Sequence, residues 1–221
     1  MQVRNYQKEL EKTIERITKE GRVPSLLLHS CCAPCSSYVL SYLSDYFRIT
    51  VCYYNPNITS EEEFRKRAEE QKRLIEELPC KYPVTFRLGE YEPERFLETA
   101  REYANEPEGG KRCELCFQMR LSYAGRLAAL EGFDYFTTTL SISPLKNAPL
   151  LNTIGEQLSA ELGVPYLTSD FKKKGGYLRS IELSREYNLY RQDYCGCVYS
   201  LRERNERMQN RSGDRTGDTV S

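Results

Sequence analysis

The residues of this 221-residue chain whose types and spacing could do chemistry are its nine cysteines. Seven of them fall into three groups, which are Cys31, Cys32 and Cys35, then Cys113 and Cys116, then Cys195 and Cys197. Cys52 lies inside a β-branched, aromatic segment and Cys80 lies in a loop, so both are predicted to be small structural residues. A thiolate is both a nucleophile and a soft metal ligand, so the grouping predicts a metal or redox site.

Two Cys-x-x-Cys pairs, Cys32–Cys35 and Cys113–Cys116, would supply the four thiolates of a structural zinc site. Zinc would leave three clustered thiols unused, and it gives no reason for a Cys-Cys or a Cys-Gly-Cys sequence. An iron–sulfur cluster also takes four thiolates, and it carries electrons. Adjacent cysteines can ligate two irons of one cluster if the backbone turns between them. The sequence therefore favours an iron–sulfur cluster and leaves zinc open.

The Cys195-Gly196-Cys197 sequence has a different character. A disulfide between its two cysteines would close a very small ring, which is strained and easily reduced. The glycine eases the backbone geometry that such a ring needs. We interpret the two cysteines as a redox-active pair, with the alternative that they are two more metal ligands.

Composition excludes several kinds of site. The chain has one histidine, His29, so centres built from several imidazoles are excluded. It has no tryptophan. The 32 basic and 32 acidic residues balance, which leaves only a local basic patch to attract nucleic acid. No apolar run is long enough to cross a membrane, and the charged N-terminus lacks the apolar segment of a signal peptide. We expect a cytoplasmic protein with no membrane partner, in which disulfides rarely persist unless they are redox-active.

Apolar periodicity predicts alternating strands and helices. The predicted strands are 25–30, 48–55, 84–88, 133–141 and 164–167, and the predicted helices are 4–20, 37–46 (capped by Ser36 or Ser37), 60–78, 93–104, 113–132, 150–162 and 176–187. This alternation predicts an α/β fold with a mostly parallel, Rossmann-like sheet and helices on both faces. We expect one α/β domain over residues 1–202, which carries the metal site, followed by a polar, disordered tail over 203–221.

The first cysteine group follows the first predicted strand. In open α/β sheets, sites lie beyond the carboxyl ends of the strands. Cys113 and Cys116 lie at i and i+3 in the first turn of a predicted helix, so they share a face, and the helix dipole there favours thiolates. The architecture and the thiols therefore indicate the same place for a site.

Five motifs occur in the order that is typical of one family: LLLHSCCAPCSS, YYNPNI, EPEGGKRCELCFQMRL, FTTTLSISPLKN and YNLYRQDYCGC. The chain resembles the epoxyqueuosine reductases of the QueH type over roughly residues 22–200. The resemblance implies a cobalamin-independent oxidoreductase that reduces epoxyqueuosine to queuosine at the wobble position of tRNA. This is the last step of queuosine biosynthesis in tRNA. It also implies a fold similar to the adenine nucleotide alpha hydrolase-like domains, with cysteines in place of the phosphate-binding loop.

The resemblance also implies the roles of the cysteines. It makes Cys31, Cys32, Cys113 and Cys116 the ligands of a 4Fe-4S cluster. It makes Cys195 and Cys197 the redox-active catalytic pair, and Cys35 a ligand of an additional mononuclear iron beside the cluster. The partners that it implies are a tRNA carrying epoxyqueuosine and an electron donor that the sequence does not identify.

A tRNA substrate requires phosphate contacts. The candidate segments are 65–67 (RKR), 172–174 (KKK) and the arginines from Arg202 to Arg211, with the lysines favoured because they lie beside glycines in a loop. Tyr190, Asp193 and Tyr194 lie next to the Cys-Gly-Cys pair and are candidate proton donors. Two other classes stay open at this point, a zinc-stabilised binding module and a sulfurtransferase. The second would require a glycine-rich phosphate loop after the first strand, where SCCAPCSS has no glycine.

Overall fold

The structure, a computed structural model, describes residues 4–214, with side chains described as far as residue 210. The strands are β1 (Ser25–His29), β2 (Arg48–Tyr53), β3 (Thr85–Leu88) and β4 (Tyr135–Thr138). The helices are α1 (Tyr6–Lys19), α2 (Ala33–Leu43), α3 (Glu61–Glu77), α4 (Pro93–Ala100), α5 (Lys111–Glu131), α6 (Ala148–Leu162), α7 (Gly176–Glu186) and α8 (Val198–Asp214), with short 3₁₀ helices at Arg101–Tyr103 and Thr139–Ile142. No helix in this part of the chain is long and apolar enough to cross a membrane.

The strands form one parallel sheet in the order β3-β2-β1-β4. Side chains of β1 alternate between two hydrophobic layers, because successive residues of a strand point to opposite faces. Leu26 and Leu28 pack with α1, α2 and α3, whereas Leu27 packs with α5 and α6. The predicted parallel α/β sheet with helices on both faces is therefore confirmed.

The order of the strands decides where a site can form. The chain leaves β1 toward β2 on one side, and β4 lies on the other side of β1. The carboxyl ends of β1 and β4 are level, since His29 pairs with Thr138. Crevices beyond such a switch point are where ligands bind in open α/β sheets. The Cys31–Cys35 loop follows β1 at this point, and the 3₁₀ turn Thr139–Ile142 follows β4.

Three local predictions differ from the structure. Helix α2 begins at Ala33 with Cys32 as its N-cap residue, because Pro34 is well suited to a first helical turn. The predicted caps Ser36 and Ser37 therefore lie inside the helix. Strand β4 ends at Thr138 rather than 141, since the Thr138 side chain accepts a hydrogen bond from the Leu140 amide and starts the 3₁₀ turn. The predicted last strand contributes a single bridge, between Phe136 and Tyr166.

The C-terminal prediction also needs correction. Residues 198–214 form helix α8, where the sequence predicted a disordered tail from residue 203, and residues 215–221 lie outside the described part. The second turn of α8 is held by ion pairs that composition does not reveal. Glu203 pairs with the buried Arg112 of α5 at 3.0 Å, and Arg204 pairs with Asp193 at 2.6 Å.

Candidate metal and redox site

The first cysteine group lies between β1 and α2. The sulfur atoms of Cys31, Cys32 and Cys35 all lie within 4.8 Å of one another, a grouping that could hold a metal ion. Cys32 is the N-cap of α2 and Cys35 lies in its first turn, so the positive end of the helix dipole faces these sulfurs. Cys35, which the resemblance placed beside the cluster, therefore belongs to the same compact group as Cys31 and Cys32.

The close approach of these three thiols shifts their pKa values. Hydrogen bonds from Cys32 and Cys35 hold the pKa of Cys31 well below its usual range, and the charge of Arg120 acts in the same direction. The same hydrogen bond to Cys31 raises the pKa of Cys32 to about 12. Among these thiols, negative charge is therefore most favourable on Cys31.

Helix α5 begins at Lys111, two residues earlier than predicted, so Cys113 lies in its first turn as predicted and Cys116 lies in its second. The Gly109 amide donates to Cys113 Sγ at 3.2 Å, and Arg120, one turn further along the helix, donates to Cys116 Sγ at 3.9 Å. These two sulfurs line a small cavity together with Cys195 and Cys197. The joint ligation of one cluster by the first and second groups stays a prediction.

Arg120 lies between the two groups. It is buried and donates to Asn55 Oδ1 at 2.6 Å and to His29 Nε2 at 3.3 Å. The Tyr54 carbonyl lies 3.2 Å from the same His29 nitrogen, and His29 Nδ1 lies 2.8 Å from Thr138 Oγ1, so both ring nitrogens have polar partners. Burial lowers the pKa of His29 to about 3, with a further contribution from the charge of Arg120. His29 is therefore a neutral residue that orients Arg120.

The third group lies in the loop before α8, where Gly196 adopts a φ of 115°. A Cβ atom at this position would lie 2.8 Å from Ile58 Cγ1 and 3.3 Å from Arg67 Nη1. Only glycine combines this backbone conformation with so close an approach. The glycine that the sequence singled out is thus required by the fold of the loop itself. Both Cys195 and Cys197 are free thiols in the structure.

Arg67 holds this loop in place. Its side chain is 1% exposed, pairs with Glu63 at 2.7 Å, and donates to the carbonyls of Cys195 at 3.1 Å and Tyr194 at 3.4 Å. The segment 65–67 was a candidate for phosphate contacts. Arg67 is instead a buried support of the Cys-Gly-Cys loop, and Arg65 pairs with Glu61 on the surface of α3.

Lys146, in the loop after β4, places a cation against the sulfur of Cys195. Its Nζ atom lies 3.5 Å from Cys195 Sγ and 2.7 Å from Glu108 Oε1. Burial acts to lower the pKa of Lys146, but the opposite charges of Cys195 and Glu108 outweigh burial and raise it. Lys146 is therefore a fixed positive charge beside the Cys195 sulfur.

A cavity of about 440 Å³ opens above these groups. Cys31 and Cys35 line it from the β1–α2 segment, and Cys195 lines it from the loop before α8. Cys195, Lys146 and Glu108 also line the small cavity that holds Cys113 and Cys116. Cys195 therefore forms part of the boundary between the larger cavity and the second cysteine group.

The candidate proton donors have other partners. The Tyr190 hydroxyl donates to Glu63 Oε2 at 2.9 Å, and Asp193 pairs with Arg204. The guanidinium carbon of Arg67 lies over the Tyr194 ring, 5.4 Å from the ring centroid. Tyr194 also lines the larger cavity. Tyr194 is thus the one of the three that combines a place in the cavity with no carboxylate partner among the described hydrogen bonds.

The donor set fits a thiolate-ligated metal group. Donors point at the sulfurs, as Gln192 Nε2 does at 2.9 Å from Cys32 Sγ and Asn57 Nδ2 does at 4.0 Å from Cys195 Sγ. The oxygen atoms of the same two amides, Gln192 Oε1 and Asn57 Oδ1, are buried without a hydrogen-bond partner among the described residues. Buried polar atoms are normally satisfied, so these two indicate a further polar occupant of the site.

Sequence reasoning missed the residues that support the thiols. Arg120 was within reach, because it lies four residues after Cys116 on a predicted helix and so shares its face. Lys146 and Asn57 lie inside quoted motifs but in loops, whose shape periodicity does not describe. Arg67 lay in the basic segment 65–67 and Gln192 in the last quoted motif, but nothing in the sequence indicated their buried contacts, since a charged or polar residue is most often exposed.

The fold and the site together define a parallel α/β protein whose sheet switch point is lined with thiols suited to metal or redox chemistry. The family model of the epoxyqueuosine reductase QueH matches residues 26–203, and the chain belongs to this family. A Staphylococcus epidermidis protein named epoxyqueuosine reductase QueH is 43% identical over 200 residues, which cover 89% of this chain and 84% of that protein. The protein of the same name from Thermotoga maritima is 35% identical over 186 residues, covering 83% of this chain and 93% of the relative.

Among solved structures, an NMN synthetase from Francisella tularensis covers 98% of this chain and 96% of its own, with 12% identity and a TM-score of 0.37. The parallel sheet described above stands on its own strand pairing.

Proposed function

We propose that this chain reduces epoxyqueuosine to queuosine at the wobble position of tRNA, and that it does so in the cytoplasm. The observation that carries the proposal is the meeting of three separate cysteine segments at the carboxyl end of the sheet. A member of the QueH family needs a site that accepts electrons, protons and a bulky base. The larger cavity and its thiols supply such a site.

The residues that would hold a 4Fe-4S cluster are Cys31, Cys32, Cys113 and Cys116, and Cys35 would ligate an additional iron. When bound, the cluster would supply one-electron transfer, and the additional iron would act as a Lewis acid toward the epoxide oxygen. The buried Arg120, which contacts Cys116 and favours the thiolate of Cys31, supports the proposal. Its positive charge would offset part of the negative charge of the ligating thiolates.

The Cys195 and Cys197 thiols would provide the electron pair. Removing the epoxide oxygen as water requires two electrons and two protons, and it leaves a carbon–carbon double bond. Oxidation of the two thiols to a disulfide releases two electrons and two protons, so the equation balances. An external electron donor would then return the disulfide to two thiols.

The surrounding residues of the chain would position these groups. Arg67 fixes the backbone of the Cys-Gly-Cys loop, and Lys146 holds a positive charge at the Cys195 sulfur. The Ser200 amide lies 3.3 Å from Cys197 Sγ and donates to it. Tyr194 would donate a proton from its hydroxyl on the wall of the larger cavity.

A base must leave its stack to reach such a cavity, and a flipped base commonly stacks on an aromatic ring. Of the 17 tyrosines in the sequence, Tyr177 and Tyr194 line the larger cavity. They are therefore the tyrosines that we assign to the modified base.

The test begins with full-length protein purified without oxygen. Visible absorption, iron and acid-labile sulfide are measured first, and a brown protein with about four irons and four sulfides is expected. The same sample is then assayed on tRNA that carries epoxyqueuosine, with queuosine measured by mass spectrometry of the nucleosides. Cys52→Ala, which changes a buried cysteine that lines neither cavity, is the matched control for Cys113→Ala, which should lose iron.

A colourless protein that binds zinc and takes up neither iron nor sulfide on anaerobic reconstitution would overturn the proposal. A zinc-stabilised binding module would then be the leading account. A brown protein that, after chemical reduction, leaves epoxyqueuosine unchanged would support the metal site but contradict the proposed substrate.

A further inference from the structure

The larger cavity is far more basic than the chain as a whole. The chain carries 32 basic and 32 acidic residues, but six basic and only two acidic residues line this cavity. The acidic residues are Glu108 and Asp193, and the basic residues are Arg67, Arg120, Lys146, Arg191, Arg204 and Arg207. This concentration of positive charge attracts an anionic ligand.

The basic residues belong to two layers. The inner three are committed to the protein, since Arg67 pairs with Glu63, Arg120 bonds Asn55, and Lys146 pairs with Glu108. They support the thiols and have little capacity left for a ligand outside the cavity.

The outer three arginines form a rim. Arg204 and Arg207 lie three residues apart on α8 and therefore share a face, and Arg191 lies in the loop that precedes the redox pair. Arg204 pairs with Asp193, whereas Arg207 donates from Nε to the Glu203 carbonyl of its own helix. Arg191 makes no ion pair or hydrogen bond with any described residue, and Arg191 and Arg207 are both exposed.

We infer that Arg191 and Arg207 bind the backbone phosphates of the RNA nucleotides next to the modified one. This inference rests on the proposed function, because it takes the base in the cavity to be part of an RNA strand. Guanidinium groups suit this role, since their paired N–H donors match two phosphate oxygens at once. Arg204, held by Asp193, keeps α8 and the 191–195 loop together so that the two exposed arginines face the same opening.

The other basic segments fit the role less well. Lys172 pairs with Asp170 and Lys174 pairs with Glu11, which leaves Lys173 as the exposed lysine of that segment without such a pair. Arg202 donates to the Ala104 carbonyl, and it does not line the cavity. Among the described residues, Arg191 and Arg207 are thus the basic side chains that are both exposed and line the cavity with the thiols.

The test measures binding of a fluorescently labelled anticodon stem–loop RNA to the metal-reconstituted, full-length protein at several salt concentrations. For single-stranded RNA, each phosphate contact contributes about 0.7 to the slope of log affinity against log salt. Arg191→Ala/Arg207→Ala should lower that slope by about 1.4 and weaken binding several-fold at low salt. Each single variant should reduce the size of the slope by about 0.7, so the single variants still test the inference if the double variant does not fold.

Arg126→Ala is the matched control, because Arg126 is an exposed arginine of α5 that does not line the cavity. It should leave the slope unchanged. A double rim variant with the slope and affinity of the wild-type protein would overturn the inference, as would a loss of slope in Lys172→Ala/Lys173→Ala/Lys174→Ala instead.

Failure of the inference and failure of the proposed function give different results. If the wild-type protein reduces epoxyqueuosine in tRNA while the rim variants bind RNA normally, the rim assignment is wrong and the function stands. If RNA binding depends on the rim but the wild-type protein does not reduce epoxyqueuosine, the surface stands and the reaction is wrong.

Discussion

The Nζ atom of Lys146 lies 3.5 Å from the Cys195 sulfur, and the Lys146 side chain is only 9% exposed. The two residues come from different parts of the fold, one from the loop after β4 and one from the loop before α8. Glu108, 2.7 Å away, orients the same ammonium group. A fixed cation at this distance attracts the negative charge that a sulfur carries as a thiolate.

Replacing Lys146 should therefore slow the reactions of Cys195. In Lys146→Met we expect alkylation of Cys195 by iodoacetamide to be about tenfold slower, which corresponds to about 1.4 kcal/mol. Lys146→Arg keeps the charge and should retain most of the rate. Peptide mapping by mass spectrometry follows each cysteine separately. An unchanged rate at Cys195 in the methionine variant would show that the contact has no effect on this thiol.

Single substitutions should distinguish the redox role of the third cysteine group from the metal-binding role of the first. Cys197→Ser should keep the visible absorption and iron content of the reconstituted protein but turn over slowly, because it loses one thiol of the redox pair. Cys31→Ser should lose iron together with activity, because it removes a proposed ligand. Loss of iron in the Cys197 variant would instead make Cys197 a metal ligand, which is the alternative that the sequence left open.

Gly196→Ala should destabilise the protein more than a typical glycine substitution does. The new Cβ would meet Ile58 at 2.8 Å in a backbone with a φ of 115°, so we expect a loss of about 2–3 kcal/mol in the free energy of unfolding. Gly21→Ala is the matched control, because Gly21 also has a positive φ but a Cβ added there would have no atom within 4 Å. Urea denaturation measures both, and equal losses would contradict the role of the close contact.

Asp134 should make stability depend on pH. The Ser25 amide and hydroxyl each donate to Asp134 Oδ2 at 2.8 Å, and they hold the pKa of Asp134 below its ordinary value of 3.8. The carboxylate therefore stabilises the folded protein above pH 3.8, and this contribution is lost as the pH falls through the lower, folded pKa.

Asp134→Ala should thus cost about 1 kcal/mol near neutral pH, and the difference from the wild-type protein should shrink below pH 3.8. Urea denaturation across this range measures the effect. Asp45→Asn, at an exposed aspartate, is the control. A difference that stays constant with pH would show that the Asp134 carboxylate does not titrate with folding.

The sequence by itself determined the alternation of strands and helices and the positions of the three cysteine groups. Apolar periodicity is local, so β1, β2 and α5 follow from it to within a few residues. The turn that begins α2 was placed too late, because Ser36 and Ser37 resemble caps while Pro34 starts the helix. The helix at 198–214 was missed because its composition is polar and because nothing in the sequence indicated that Arg112 and Asp193 pair with it.

Only the tertiary structure decided which residues support the thiols. Arg67 lies 128 positions before Cys195, and Lys146 lies 49 positions before it, yet both contact it. Such contacts depend on how β1, β2 and β4 align at the switch point, which no local pattern encodes. The sequence also could not distinguish a buried arginine from a phosphate-binding one. Charge is visible in a sequence, but burial and pairing, which decide what a charge can bind, arise only when the chain folds.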